Sequence, residues 1–205
     1  LSDKYNGPLS SGDVFSTKLP LVLLLGNHSS GKSSFINHLL QRPVQSSGVA
    51  PTDDCFTIIA PGTEDADRAG PALVGDPDLG FHGLNEFGSI LVHKTQLKIR
   101  KLAPVTPEYQ RTCHDFYLVD TPGMIDSPVK ANASHQERVM DRGYDFEGVC
   151  KWYAERADII LLLFDPEKPG TTGETMHCLV NSLAGLDHNL HIVMNEIDQF
   201  HRIGD

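Results

Sequence analysis

Gly26-Asn27-His28-Ser29-Ser30-Gly31-Lys32-Ser33 has the spacing G-x-x-x-x-G-K-S, and these residue types suit one task, the holding of a polyphosphate. Glycines let backbone N–H groups converge on phosphoryl oxygens, and a helix that follows adds the positive end of its dipole. In that arrangement Lys32 reaches the β- and γ-phosphates and the Ser33 hydroxyl ligates Mg2+. Ser34 carries the contact surface into the helix. His28 occupies a loop position from which a side chain can orient water or donate to the β–γ bridging oxygen. The competing reading is a loop histidine exposed to solvent.

Three further clusters suit the same chemistry. Asp120-Thr121-Pro122-Gly123 places a carboxylate where it can hold Mg2+, usually through water, and a glycine amide where it can sense the γ-phosphate. Thr52, in Pro51-Thr52-Asp53-Asp54, can give its hydroxyl to Mg2+ and its carbonyl to an attacking water. Asn195-Glu196-Ile197-Asp198 has the shape N-x-x-D. A carboxylate at Asp198 can accept from the N1–H and 2-amino group of guanine. Glu196 stands where a lysine stem usually packs beside the base, so the choice between GTP and ATP stays open.

The elements that must position these groups are legible as alternating patterns. Leu21 to Leu25 is a short, continuously apolar run, as in a strand buried on both faces. Phe35, Ile36, Leu39 and Leu40 then recur at helical spacing, and Pro43 closes the helix. Cys55–Ala60, Phe116–Val119, Ile159–Phe164 and His191–Met194 read as further strands. Residues 61–88 hold many glycines and prolines and read as a long loop or irregular insertion. Ile90 to Leu102 reads as strand pieces, and 124–145 as polar and mobile. Phe146 to Ala157 carries an amphipathic helical stripe. Thr171-x-x-Glu174 is a capping box opening a helix with the stripe Met176, Leu179, Val180 and Leu183, and Gly185 as its stop. Strands alternating with helices predict a mostly parallel α/β sheet with helices on both faces. Ligands bind such sheets outside the carboxyl ends of the strands, where every polar cluster above is expected.

The chain has 205 residues, 40% apolar and 21% charged, enough for a sizeable core. A net charge of −10 argues against broad nucleic-acid binding. Four cysteines show no metal-ligand spacing and ten histidines no pairing such as HExxH, so no zinc site is expected. No apolar run reaches the roughly 18 residues of a spanning helix, and no signal peptide is visible. Residues 1–18 read as a lead-in segment and 19–205 as one domain.

With these motifs in place, the sequence resembles the dynamin-like EH-domain-containing ATPase and sarcalumenin family from about residue 18 to Asp205. The likeness is carried by Pro51-Thr52-x-Asp54-x-Phe56, Leu84-Asn85-x-Phe87-Gly88, Asp120-Thr121-Pro122-Gly123, Arg142-Gly143-Tyr144-Asp145-Phe146, Trp152-x-Ala154-Glu155-Arg156-Ala157-Asp158 and Leu163-Phe164-Asp165. It implies a P-loop NTPase three-layer sandwich of the dynamin G-domain type, stopping short of that domain's final strand and helix. It implies binding and slow hydrolysis of nucleotide. Gly26 to Ser34, Asn195 and Asp198 would be the nucleotide contacts, and Ser33, Thr52 and Asp120 the Mg2+ shell. Thr52, His28 and Gly123 would be the catalytic set. By the same resemblance the domain self-associates, and membranes are engaged through regions absent from this chain. The location implied is cytoplasmic and peripheral on endosomal or other internal membranes, or luminal as in sarcalumenin. A reading from another class, a nucleotide-binding scaffold with negligible turnover, fits the same motifs.

Overall fold

The structure is a computed structural model, which describes residues 19–45, 55–101, 116–124, 142–165 and 173–195. In chain order the elements are β1 (Leu21–Gly26), α1 (Lys32–Leu39), β2 (Phe56–Pro61), β3 (Ala66–Ala69) and α2 (Gly70–Val74). A 3-10 turn (His82–Phe87), α3 (Ser89–His93), β4 (Thr95–Arg100) and β5 (Tyr117–Asp120) follow. The chain continues through α4 (Phe146–Ala154), β6 (Ile159–Phe164), α5 (Gly173–His177), a π-helical turn (Cys178–Ser182) and β7 (Leu190–Met194).

The seven strands form one sheet in the order β3-β4-β2-β5-β1-β6-β7. β1 pairs in parallel with β5 and β6, β2 with β4, and β6 with β7. β2–β5 and β3–β4 are antiparallel, so the sheet is mostly parallel, as expected, with one reversal in its interior and a second at its β3 edge. The apolar run of β1 serves both faces because side chains alternate along a strand. Leu21, Leu23 and Leu25 enter a core with α2, α3 and α4. Leu24 enters a second core with Ile36 of α1. Helices therefore cover both faces, which makes the α/β sandwich.

Aromatic side chains fill the first core. The Phe56 ring lies 5.5 Å from that of Tyr153, 5.8 Å from Phe146 and 6.2 Å from Tyr144. Trp152 meets Tyr153 edge-on at 5.1 Å, and the Arg156 guanidinium covers the Trp152 ring at 4.0 Å. The Arg-Gly-Tyr-Asp-Phe and Trp-x-Ala-Glu-Arg stretches are thus mainly packing devices. Asp145 caps α4 by accepting from the Gly148 N–H at 2.9 Å.

Four sequence expectations are corrected. Residues 61–88 are not an irregular loop but hold β3, α2 and the 3-10 turn. The side chains of β3 are all exposed, so that strand forms through backbone pairing with β4 and leaves no hydrophobic period to read. Ile90 to Leu102 begins as helix rather than strand; Leu91 and Val92 are buried while Ile90 is 51% exposed. Of the segment read as mobile, 125–141 lies outside the described residues, yet Tyr144 is buried against Phe56. The stripe Met176, Leu179, Val180 and Leu183 holds only in part: Leu183 is buried and Leu179 packs against the core, whereas Met176 and Val180 are exposed and Thr175, Cys178 and Ser182 are buried in their place. The π-helical turn widens the repeat at Cys178–Ser182 and rotates the buried face away from its 3.6-residue phase. Thr171 of the capping box lies outside the described residues. Among the described residues, no helix is long and apolar enough to cross a membrane.

Candidate nucleotide site

The site lies at the carboxyl ends of β1, β5 and β7. β1 runs into Gly26, and the loop that follows is stitched to the end of β5. The His28 N–H donates to the Met124 carbonyl at 3.0 Å, and the Met124 N–H donates to the Gly26 carbonyl at 3.1 Å. Ser29 takes a left-handed φ of 61°, which costs energy for a residue with a Cβ and persists only where its surroundings impose it. Gly31, with φ 86°, caps α1. The first turn of α1 then presents backbone N–H groups that its own hydrogen bonds do not use, and these are the donors a phosphate needs.

Lys32 is buried, and its Nζ donates to the carbonyls of Gly26 at 2.9 Å and Asn27 at 3.0 Å. Burial lowers its pKa to about 8; the Asp120 carboxylate opposes that shift, and the Arg142 guanidinium adds to it. Asp120 is 5% exposed, and its Oδ2 accepts from Gln45 Nε2 at 2.7 Å. The Thr121 hydroxyl donates to the Leu24 carbonyl at 2.8 Å, tying the turn after β5 back to β1. Gly123 packs on the phosphate loop so closely that a Cβ there would lie 2.8 Å from His28 Cα.

Asn195 reaches the same loop from the end of β7, donating through Nδ2 to the Ser30 carbonyl at 3.1 Å. The structure therefore brings together Gly26, Asn27, His28, Ser29, Ser30, Gly31, Lys32, Asp120, Gly123 and Asn195. Ser33 is half-buried and Ser34 exposed on the first turn of α1. The His28 side chain is exposed, and its backbone makes the contacts. Thr52 and Asp198 lie outside the described residues.

The residue patterns alone do not reveal three further residues as parts of the site. Arg142 Nη2 donates to the Gly123 carbonyl at 2.9 Å, and its guanidinium stacks on the Phe146 ring at 4.2 Å. Gln45 holds Asp120. The Thr175 hydroxyl donates to Asn27 Oδ1, fixing the loop from α5. Each contact spans distant parts of the chain, so no local spacing announces it. Arg142 stands in a stretch otherwise devoted to packing.

The dynamin family's sequence model matches residues 22–196. The chain belongs to the dynamin family. This dynamin-family chain is 35% identical over 184 residues to EH domain-containing protein 2 of Homo sapiens, covering 87% of the chain and 30% of that protein. It is 34% identical over 197 residues to EH domain-containing protein 1 of Arabidopsis thaliana, covering 94% of the chain and 32% of that protein. The chain spans about a third of the length of these curated relatives. Among solved structures, a chain of an oligomerised bacterial dynamin pair aligns with a TM-score of 0.47 and 18% identity, over 90% of this chain and 27% of that one.

Proposed function

We propose that residues 19–205, after the lead-in segment 1–18, are the G domain of an Mg2+-dependent nucleoside triphosphatase that takes ATP or GTP. One observation carries the reading. A buried lysine ammonium is held by carbonyls of a loop that joins a core strand to a helix, beside a buried carboxylate on the neighbouring strand end. A buried cation next to unsatisfied helix N–H groups is a receptor for a polyanion.

Ser33 on α1 and Asp120 on β5 offer hard oxygens, and Mg2+ takes one or two such protein ligands together with phosphates and water. Thr52 would add a third hard oxygen to that shell. When bound, Mg2+ draws off charge that builds on the transferring phosphoryl group. Lys32 would bind the β- and γ-oxygens, the Gly123 N–H would serve the γ-phosphate, and Thr52 and His28 would orient the attacking water. No covalent step falls to the protein, so catalysis is positioning and charge stabilisation. Asp198 would contact the base, and Asn195 would support the nucleotide through its hold on the Ser30 carbonyl. In the whole protein, by likeness to the EH domain-containing proteins, turnover is coupled to self-association of this domain. Regions outside this chain then act on the cytoplasmic face of endosomal or other internal membranes.

Calorimetry and steady-state phosphate release with Mg–ATP and Mg–GTP, against Lys32→Ala, test the reading. Heat and release from the parent, both lost in the variant, are expected. Binding with release no faster than the variant's would make the chain a nucleotide-binding scaffold. No heat from folded protein with either nucleotide at millimolar concentration would overturn the proposal.

A further inference from the structure

Asp120 belongs to a hydrogen-bonded chain that runs back through Gln45 to Lys98 on β4. Gln45 Nε2 donates to Asp120 Oδ2 at 2.7 Å, and Lys98 Nζ donates to Gln45 Oε1 at 2.6 Å and to the Val44 carbonyl at 3.1 Å. An ammonium only donates, so the Gln45 oxygen must face Lys98 and its NH2 group must face the carboxylate. The Gln45 backbone is fixed as well. Asn37 of α1 accepts from the Val44 and Gln45 N–H groups at 2.8 Å each and donates to the Gln45 carbonyl at 2.7 Å. The Gln45 side chain is 3% exposed. Nothing in the G-K-S or Asp-Thr-Pro-Gly spacing calls for a residue here.

We propose that Gln45 is a positioning residue for the Mg2+ ligand Asp120, held in place by Lys98. A lysine bound directly to that carboxylate would neutralise it and compete with a divalent cation for the same charge. An interposed amide anchors one oxygen with a neutral donor, fixes the carboxylate's rotation, and adds no positive charge of its own to compete with the metal. Partners of this outer kind commonly set metal affinity without touching the ion. The inference rests on the Mg2+–triphosphate reading above.

The test compares the affinity of the 205-residue chain for a fluorescent non-hydrolysable ATP or GTP analogue in excess Mg2+ and in EDTA. For Gln45→Leu, affinity in EDTA should stay within about twofold of the parent, the scale of a change that leaves the binding contacts in place. The gain on adding Mg2+ should fall about tenfold, the lower end of the cost of losing such a partner. Lys98→Met, which does not touch Asp120, should reduce the Mg2+ gain in the same direction by less. An undiminished Mg2+ gain in Gln45→Leu overturns the inference. So does an equal loss with and without Mg2+, which would mark Gln45 as a support of the loop alone. A parent that binds the analogue with no Mg2+ gain removes the Mg2+ reading and this inference together.

Discussion

Asn195 Nδ2 and the Ser30 carbonyl are 3.1 Å apart although 165 positions separate the two residues. The amide lies so close over Gly31 that a Cβ there would come within 1.9 Å of it. A residue whose motif suggests contact with a nucleotide base is, in the fold, a clamp on the phosphate loop. It joins the edge strand β7 to the start of α1.

Asn195→Ala should therefore weaken ATP and GTP analogues alike. Losing one hydrogen bond to a part-buried carbonyl costs about 1 kcal/mol, or roughly fivefold in affinity. Parallel fluorescence titrations with both analogues measure it. A loss confined to the guanine nucleotide would instead assign the side chain to base recognition.

Lys32 should make nucleotide binding pH-dependent. Its pKa in the folded chain is about 8 against an ordinary 10.5, so the unfolded chain holds this proton more tightly. Below pH 8 the buried ammonium costs the fold roughly 3 kcal/mol, and the cost is relieved as pH rises from about 8 to 10.5. Ligand-free stability thus gains from this group with rising pH. Triphosphate affinity moves the opposite way, because the phosphates need the protonated form. Calorimetry near pH 8.5 in two buffers of different ionisation enthalpy should reveal proton uptake on binding. Lys32→Met should abolish that uptake and raise the melting temperature of the ligand-free chain at pH 7.

Arg142→Met removes the donor to the Gly123 carbonyl but keeps an apolar side chain over Phe146. Single-turnover phosphate release should slow about tenfold, equivalent to about 1.4 kcal/mol of barrier, while diphosphate affinity changes little. Arg142 also depresses the Lys32 pKa, so the midpoint of the pH–affinity curve should move upward in this variant. An unchanged rate and midpoint would leave Arg142 as a packing residue only.

Gly123→Ala puts a methyl group 2.8 Å from His28 Cα and 3.0 Å from its backbone nitrogen. Neither atom can turn aside as the end of a flexible side chain would, so the turn after β5 must pull away from the phosphate loop. A thermal melt should show destabilisation of about 1–3 kcal/mol, as for overpacking elsewhere. The triphosphate should lose more affinity than the diphosphate.

The phosphate loop was legible because everything it needs is contiguous. A buried strand, the glycines, Lys32 and the periodic helix are encoded within about twenty residues of one another, and local propensity and period act at that range. Asp120 and Asn195 stood out for the same reason, each following directly on an apolar run, but the hold of Asn195 on the Ser30 carbonyl was not legible. Other features depended on tertiary structure. β3 forms although its side chains are exposed, because β4 offers it backbone partners. The turn at Cys178–Ser182 abandons the α-helical period, and Thr175 and Cys178 take the buried face from Met176 and Val180. Gln45, Arg142 and Thr175 reach the site through hydrogen bonds spanning 75, 19 and 148 positions. Residue type and spacing marked out the candidate phosphate-binding groups. Packing between segments distant in the chain decided which groups hold them still, since such contacts leave no periodic trace in the sequence.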